Sequence, residues 1–171
     1  MGVPRHRARH DLRTAPNVAS AYLWLMTIAE QWTQCSLSPS VNAKLLSIAR
    51  EIRYDEDEYV FREGDHALYL FIIKSGTVAI EVSLMTQAPV TLMTIGPGEW
   101  FSWSALLEPR IERASARAVE PTVVWAVRGG AVMDLALEDH EFGFQIYRAL
   151  AELVGTRLTQ SWLQMLQMLA P

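Results

Sequence analysis

Gly96-Pro97-Gly98-Glu99-Trp100-Phe101-Ser102-Trp103-Ser104-Ala105-Leu106-Leu107-Glu108-Pro109-Arg110-Ile111-Glu112-Arg113-Ala114-Ser115-Ala116-Arg117-Ala118 is the stretch on which the fold turns. Gly-Pro-Gly punctuates it at the start, because glycine admits backbone conformations closed to other residues and proline cannot continue a ladder. A short apolar helix over Ser102–Leu107 and a proline follow. From Ala114 to Val119 the residues alternate as in a half-buried strand.

The same grammar extends upstream. Arg62-Glu63-Gly64-Asp65 and Ser75-Gly76 are turns between apolar segments. Leu68–Ile73 is a nearly continuous apolar run, which predicts a strand buried on both faces. Thr77–Leu84 alternates, with Val78, Ile80 and Val82 on one side. Pro89 opens a further strand over Val90–Ile95, and Ala114–Val119 and Thr122–Val127 close the β region around Glu120-Pro121.

Helical spacing brackets these strands. Asn17 caps a predicted helix over 18–34 with Tyr22, Leu25, Met26, Ala29 and Trp32 on one face. Ser38 caps a second helix with Pro39 at its first position and a buried stripe of Val41, Leu45, Ile48 and Ile52. Gly129-Gly130 ends the strands, Ala131–Leu137 is a short helix, and acids at 138–141 start a long one over Phe142–Leu169. Tyr147, Leu150, Val154, Leu158, Trp162, Met165 and Leu169 trace a seam along that helix. The expected class is α+β: an antiparallel β-roll, jelly-roll-like, over 54–128, preceded by helices at 17–53 and followed by helices at 129–171. Residues 1–16, with Arg5, Arg7, Arg9 and Arg13, read as a disordered basic tail and not as a signal peptide or membrane span.

Composition narrows the function classes. At 171 residues the chain can bury a core without staples, and its half-hydrophobic content is that of a globular protein. A net charge of −4 supplies no general attraction to nucleic acid. The lone Cys35 excludes an internal disulfide framework and points to a reduced, cytoplasmic setting.

Four anchors, in this order and spacing, resemble the cyclic-nucleotide-binding domain family: Gly64-Asp65; Gly76 followed by Val78 and Ile80; Gly96-x-Gly98-x-x-Phe101; and Arg117-Ala118. The resemblance spans roughly Leu45 to Leu158 and implies a β-roll that binds a nucleotide through a phosphate cassette. In that family a Gly-Glu pair follows the phenylalanine, the glutamate receives the ribose hydroxyl, and a later arginine pairs with the cyclic phosphate. Here Ser102 stands for the glycine and Trp103 for the glutamate, and Glu112 falls at the arginine's place. Arg113 is one residue off and faces the other side of a strand unless a bulge intervenes. Each lost charge-assisted contact removes about 1.5–3 kcal/mol, so ordinary cyclic AMP affinity is not expected.

The resemblance implies a non-enzymatic sensor or regulatory module, with Phe101, Ser102, Trp103, Ser104, Ala105, Arg113 and Ser115 as the residues at the ligand. The ligand would be a small anion or nucleotide-like molecule, and no cofactor or metal is implied. The last helix implies a homodimer, and the stop at Pro171 leaves no helix-turn-helix for direct sequence-specific DNA reading. Two other readings stay open. One is a structural interaction protein whose old pocket Trp103 fills. The other is a cupin-like metal enzyme, although the four histidines share no strand spacing suited to a metal.

Overall fold

A computed structural model describes residues 37–83 and 88–169, with side chains through Leu158. The predicted basic tail and the 18–34 helix lie outside the described residues. Helix α1 (Pro39–Ser47) begins as its sequence dictates: the Ser38 hydroxyl accepts from the Val41 N–H at 3.4 Å and Pro39 occupies the first turn. It ends earlier than its apolar spacing suggested. Ile48 is its C-cap, and Ile52 belongs to strand β1 (Ala49–Tyr54). The strand wins because all six of its residues pair with the closing strand, from Ala49 opposite Val127 to Tyr54 opposite Thr122.

Strands β2 (Tyr59–Phe61), β3 (Tyr69–Ser75), β4 (Val78–Val82), β5 (Val90–Ile95), β6 (Trp100–Phe101), β7 (Ser115–Ala118) and β8 (Thr122–Arg128) complete two four-stranded antiparallel sheets. Their orders are β1-β8-β3-β6 and β2-β7-β4-β5. This is the expected roll, with two facing sheets in place of one open sheet. The turn at Gly76 shows why glycine is required there. Its φ is +88°, and a Cβ would lie 2.8 Å from the Pro121 carbonyl oxygen.

The apolar run in β3 is buried on both faces. Leu70 and Ile72 join a cluster with Trp100, Trp125 and Val127 beneath the helices, while Phe71 and Ile73 face the roll interior with Val78, Ile95, Phe101 and Val124. Each such side chain contributes about 1.5–3 kcal/mol on burial. The helical layer consists of α1, α2 (Gly129–Glu138) and α3 (His140–Leu169). Gly129 and Gly130, expected to end the β region, are the first two residues of α2. Asp139 starts α3, its Oδ1 accepting from the Phe142 N–H at 3.0 Å and its Oδ2 receiving the Lys44 ammonium of α1 at 2.7 Å.

The predicted seam on α3 divides between two faces. Phe142, Ile146, Ala149, Leu150 and Leu153 pack into the helix-side cluster. Tyr147, Val154 and Leu158 are exposed, together with Phe144. The side chains of Trp162, Met165 and Leu169 lie outside the described residues.

Candidate functional site

Two-residue alternation sorts the entrance to the cassette. In β6, Trp100 pairs with Ile72 and enters the helix-side cluster, whereas Phe101 pairs with Phe71 and enters the roll. Phe101 stacks on Phe71 at 5.1 Å and on Phe61 at 6.0 Å between ring centroids. The next residue turns the chain. Ser102 adopts the left-handed conformation, φ 58° and ψ 41°, and a single 3₁₀ turn over Trp103–Leu106 follows. Glycine takes that conformation freely, whereas an L-residue there carries about 1–2 kcal/mol of strain. The turn expected for a glycine is thus kept by a serine.

The serine side chain adds what glycine lacks, a hydroxyl that donates to the Glu112 carboxyl. Both side chains are buried, at 6% and 4% exposure. Glu112 is held from its backbone as well. Its N–H donates to the Asp65 carbonyl, and its own carbonyl accepts from the Gly64 N–H, each at 2.9 Å. Burial pushes the Glu112 carboxyl up to about 7; the Ser102 hydrogen bond opposes that rise and the Asp65 charge adds to it. Among the described residues no lysine or arginine forms an ion pair with it.

Trp103 goes the other way. Its indole packs on the helix-side cluster, with the Arg157 guanidinium 4.8 Å from the ring centroid. It therefore does not fill the interior of the roll, as one alternative required. Arg157 comes from α3, is 8% exposed, and donates from Nη2 to the Trp100 carbonyl at 2.9 Å. The terminal helix thereby holds the residues on both sides of Phe101 and Ser102.

The remaining residues expected at the ligand are dispersed. Ala105 is buried, its N–H bonded to the Ser102 carbonyl at 3.1 Å, and Ser104 is half-buried in the same turn. Arg113 is exposed in the bend before β7. The Ser115 hydroxyl accepts from the Glu63 N–H at 3.0 Å, on the face of β7 opposite the interior residue Ala116. On that outer face Arg117 chelates Glu81 through Nε at 3.0 Å and Nη2 at 2.6 Å, and reaches Asp57 at 2.5 Å.

Three participants escaped the sequence reading of the site. Phe61 and Phe71 carry no signal beyond apolar strand positions. Arg157 does carry one, as a lone arginine between Val154 and Leu158 in an apolar stripe. Glu112 drew notice by its position, although its bond to Ser102 depends on a turn that spacing alone does not define.

The family model of the cyclic nucleotide-binding domain matches residues 51–139, and the chain belongs to that family. The cyclic AMP receptor protein of Thermus thermophilus is 32% identical over 91 residues, 53% of this chain and 42% of the relative. An uncharacterised protein of Mycobacterium tuberculosis is 33% identical over 92 residues, 53% of this chain and 17% of that protein. This chain thus spans less than half the length of these curated relatives. A solved cyclic nucleotide-binding domain from Methylobacillus flagellatus shares the fold, with a TM-score of 0.76 at 19% identity over 87% of this chain and 84% of that one.

Proposed function

We propose that this chain is a regulatory module of the cyclic-nucleotide-binding type whose cassette does not grip cyclic AMP by an arginine–phosphate pair. The carrying observation is Glu112: a buried acid, fixed on Ser102, at the position where the resemblance implies a guanidinium. Placing a phosphate there would set two negative charges in a low-dielectric turn. Calorimetry with cyclic AMP and cyclic GMP tests this reading. No binding, or binding no tighter than millimolar, is expected, and micromolar cyclic AMP affinity would overturn it.

Output would pass through α3. Arg157 ties that helix to Trp100 and Trp103, so a ligand that moves the Ser102 turn would also move the helix. The outer stripe of α3, Phe144, Tyr147, Val154 and Leu158, recurs at spacings of three, seven and four residues, which keep to one helix face, and suits a second copy of the chain. Sedimentation should give a dimer, and Leu158→Asp should shift it toward monomer while the thermal melt persists. Replacing Arg157 with methionine should decouple the cassette, seen as faster amide exchange in residues 100–106 with the roll's strands still protected. The module would act in the cytoplasm through a partner protein or through dimer rearrangement. Among the described residues no helix is long and apolar enough to cross a membrane.

The stacked Phe61, Phe71 and Phe101 rings support a second reading, a structural interaction module with a vestigial pocket. A stable dimer with no response to any nucleotide or nucleoside would favour it. Stoichiometric metal in the purified protein would instead revive the cupin-like reading.

A further inference from the structure

Helix α3 carries an exposed apolar stripe, and the chain arrives at α1 beside it. Leu37 packs on the helix-side cluster, and the Ser38 N–H donates to Gln145 Oε1 on α3 at 2.7 Å. Further along α1, Lys44 holds Asp139, immediately before α3, at 2.7 Å. These contacts fix where residues 18–34 are attached: at the first turns of α3, level with Gln145 and thus between Phe144 and Arg148 in sequence. Phe144 is 62% exposed and Leu158, at the far end of the stripe, 49%. Apolar surface gathered along one helix face calls for a cover. Glu141, Gln145, Arg148 and Glu152 line its polar flank at helical spacing.

The helix predicted over 18–34 matches this stripe in reach, length and charge. From residue 34 to Ser38 the chain extends at most about 14 Å, enough to carry the segment round the polar flank of α3 and little more. A helix over 18–34 is about 25 Å long, and the stripe from Phe144 to Leu158 about 21 Å. With so short a connection the two helices run antiparallel. Tyr22, Leu25, Met26, Ala29 and Trp32 then supply the apolar face. Glu30, the only charged residue of the segment, falls one turn from its end, level with Arg148. The Arg148 side chain is 52% exposed and pairs with Glu152 at 2.9 Å on the same flank. We propose that residues 18–34 fold back on the outer stripe of α3 and compete with the second copy of the chain for it, so that the segment restrains dimerisation from within. This rests on the reading above that the stripe is the dimer face. A short link holds the segment at an effective concentration on the order of millimolar, so a modest apolar contact suffices to weaken the dimer. Whatever draws the segment away then strengthens the dimer.

The test is sedimentation of the full chain over a range of concentrations, with variants on each side of the contact. Leu25→Asp should release the segment and lower the dimer dissociation constant by at least about tenfold. Glu30→Arg should lower it severalfold, and adding Arg148→Glu should restore the parent value. A cross-link reads the same contact directly. With Cys35→Ser as background, Ala29→Cys and Ala151→Cys should join on mild oxidation within one chain, giving a species of monomer mobility without free thiols. A dimer constant indifferent to Leu25→Asp, while Leu158→Asp still breaks the dimer, overturns the inference and leaves the dimer reading standing. A dimer weakened by Leu25→Asp also overturns it, because the segment would then belong to the interface between copies. Cross-links found only between two chains overturn it in the same way. Indifference to both Leu25→Asp and Leu158→Asp overturns the inference together with the dimer reading.

Discussion

Two glutamates in this roll are equally hidden and differently compensated. Glu81, on the outer face of the second sheet, is 3% exposed, and Glu112, at the cassette, is 4% exposed. Glu81 is met by both Nε and Nη2 of Arg117 and by the Tyr59 hydroxyl at 3.3 Å. Among the described residues the Glu112 carboxyl is met by the Ser102 hydroxyl and by no cation. Burying a charge is costly, and the cost is offset either by a counter-charge or by taking up a proton. The first solution serves structure. The second leaves a group poised near neutrality beside the left-handed turn at Ser102.

The comparison breaks most forcefully at Arg117. Its guanidinium is held above its ordinary pKa by the Glu81 bond first, with Asp57 adding to the effect. Removing it leaves Glu81 buried without a cation, so Arg117→Ala should destabilise the domain by about 3–5 kcal/mol. Replacing both partners with apolar residues, Glu81→Leu with Arg117→Met, should recover most of that loss in urea titration. If the single variant lost under about 1 kcal/mol, the outer pair would be no more than a surface ion pair and the contrast with Glu112 would vanish.

Glu112 sharpens the contrast through pH. Its folded pKa, about 7, lies above the ordinary glutamate value of 4.5, so the folded state binds the proton more tightly than the unfolded chain. Its contribution is fully present below the unfolded value and is lost as pH rises through the folded one. Glu112→Gln should therefore be near neutral at pH 5 and stabilising by roughly 1–3 kcal/mol at pH 8. Urea midpoints measured at the two pH values decide this. A stability difference that stays flat from pH 5 to pH 8 would show that the carboxyl is solvated and not held in a dry turn.

Much of this was legible in the residues. Alternation in β4, the two-faced apolar run of β3 and the glycines at tight turns are local signals, and the sheets follow them. The end of α1 was not local. Ile48 and Ile52 continue a helical spacing, and only pairing with the distant strand β8, where Ile52 lies opposite Val124, assigns Ile52 to a strand. The site was legible as a departure, since Ser102, Trp103 and Glu112 stand out against the resemblance. Their directions were not. Whether Trp103 enters the roll or leaves it depends on one left-handed residue, and Arg157 meets that indole from a helix that spacing could only describe as apolar on one side.

The finest test lies at that left-handed residue. Ser102→Gly relieves the strain of φ 58° but deletes the donor to Glu112 and loosens the unfolded chain. The relief is worth about 1–2 kcal/mol, the added unfolded-state freedom takes back about 0.4–1 kcal/mol, and these nearly cancel against a neutral hydrogen bond of about 0.5–1.5 kcal/mol. At pH 5, where Glu112 is protonated, the variant should thus lie within about 1 kcal/mol of the parent. At pH 8 the lost bond is to a carboxylate and is worth about twice as much, so the variant should fall below the parent. The corresponding change on the outer face, Tyr59→Phe, removes a donor to a glutamate that Arg117 already compensates, and its small effect should be the same at both pH values. If Ser102→Gly were equally insensitive to pH, the two acids would be compensated alike, and the distinction between a structural glutamate and a poised one would fail where it is most finely drawn.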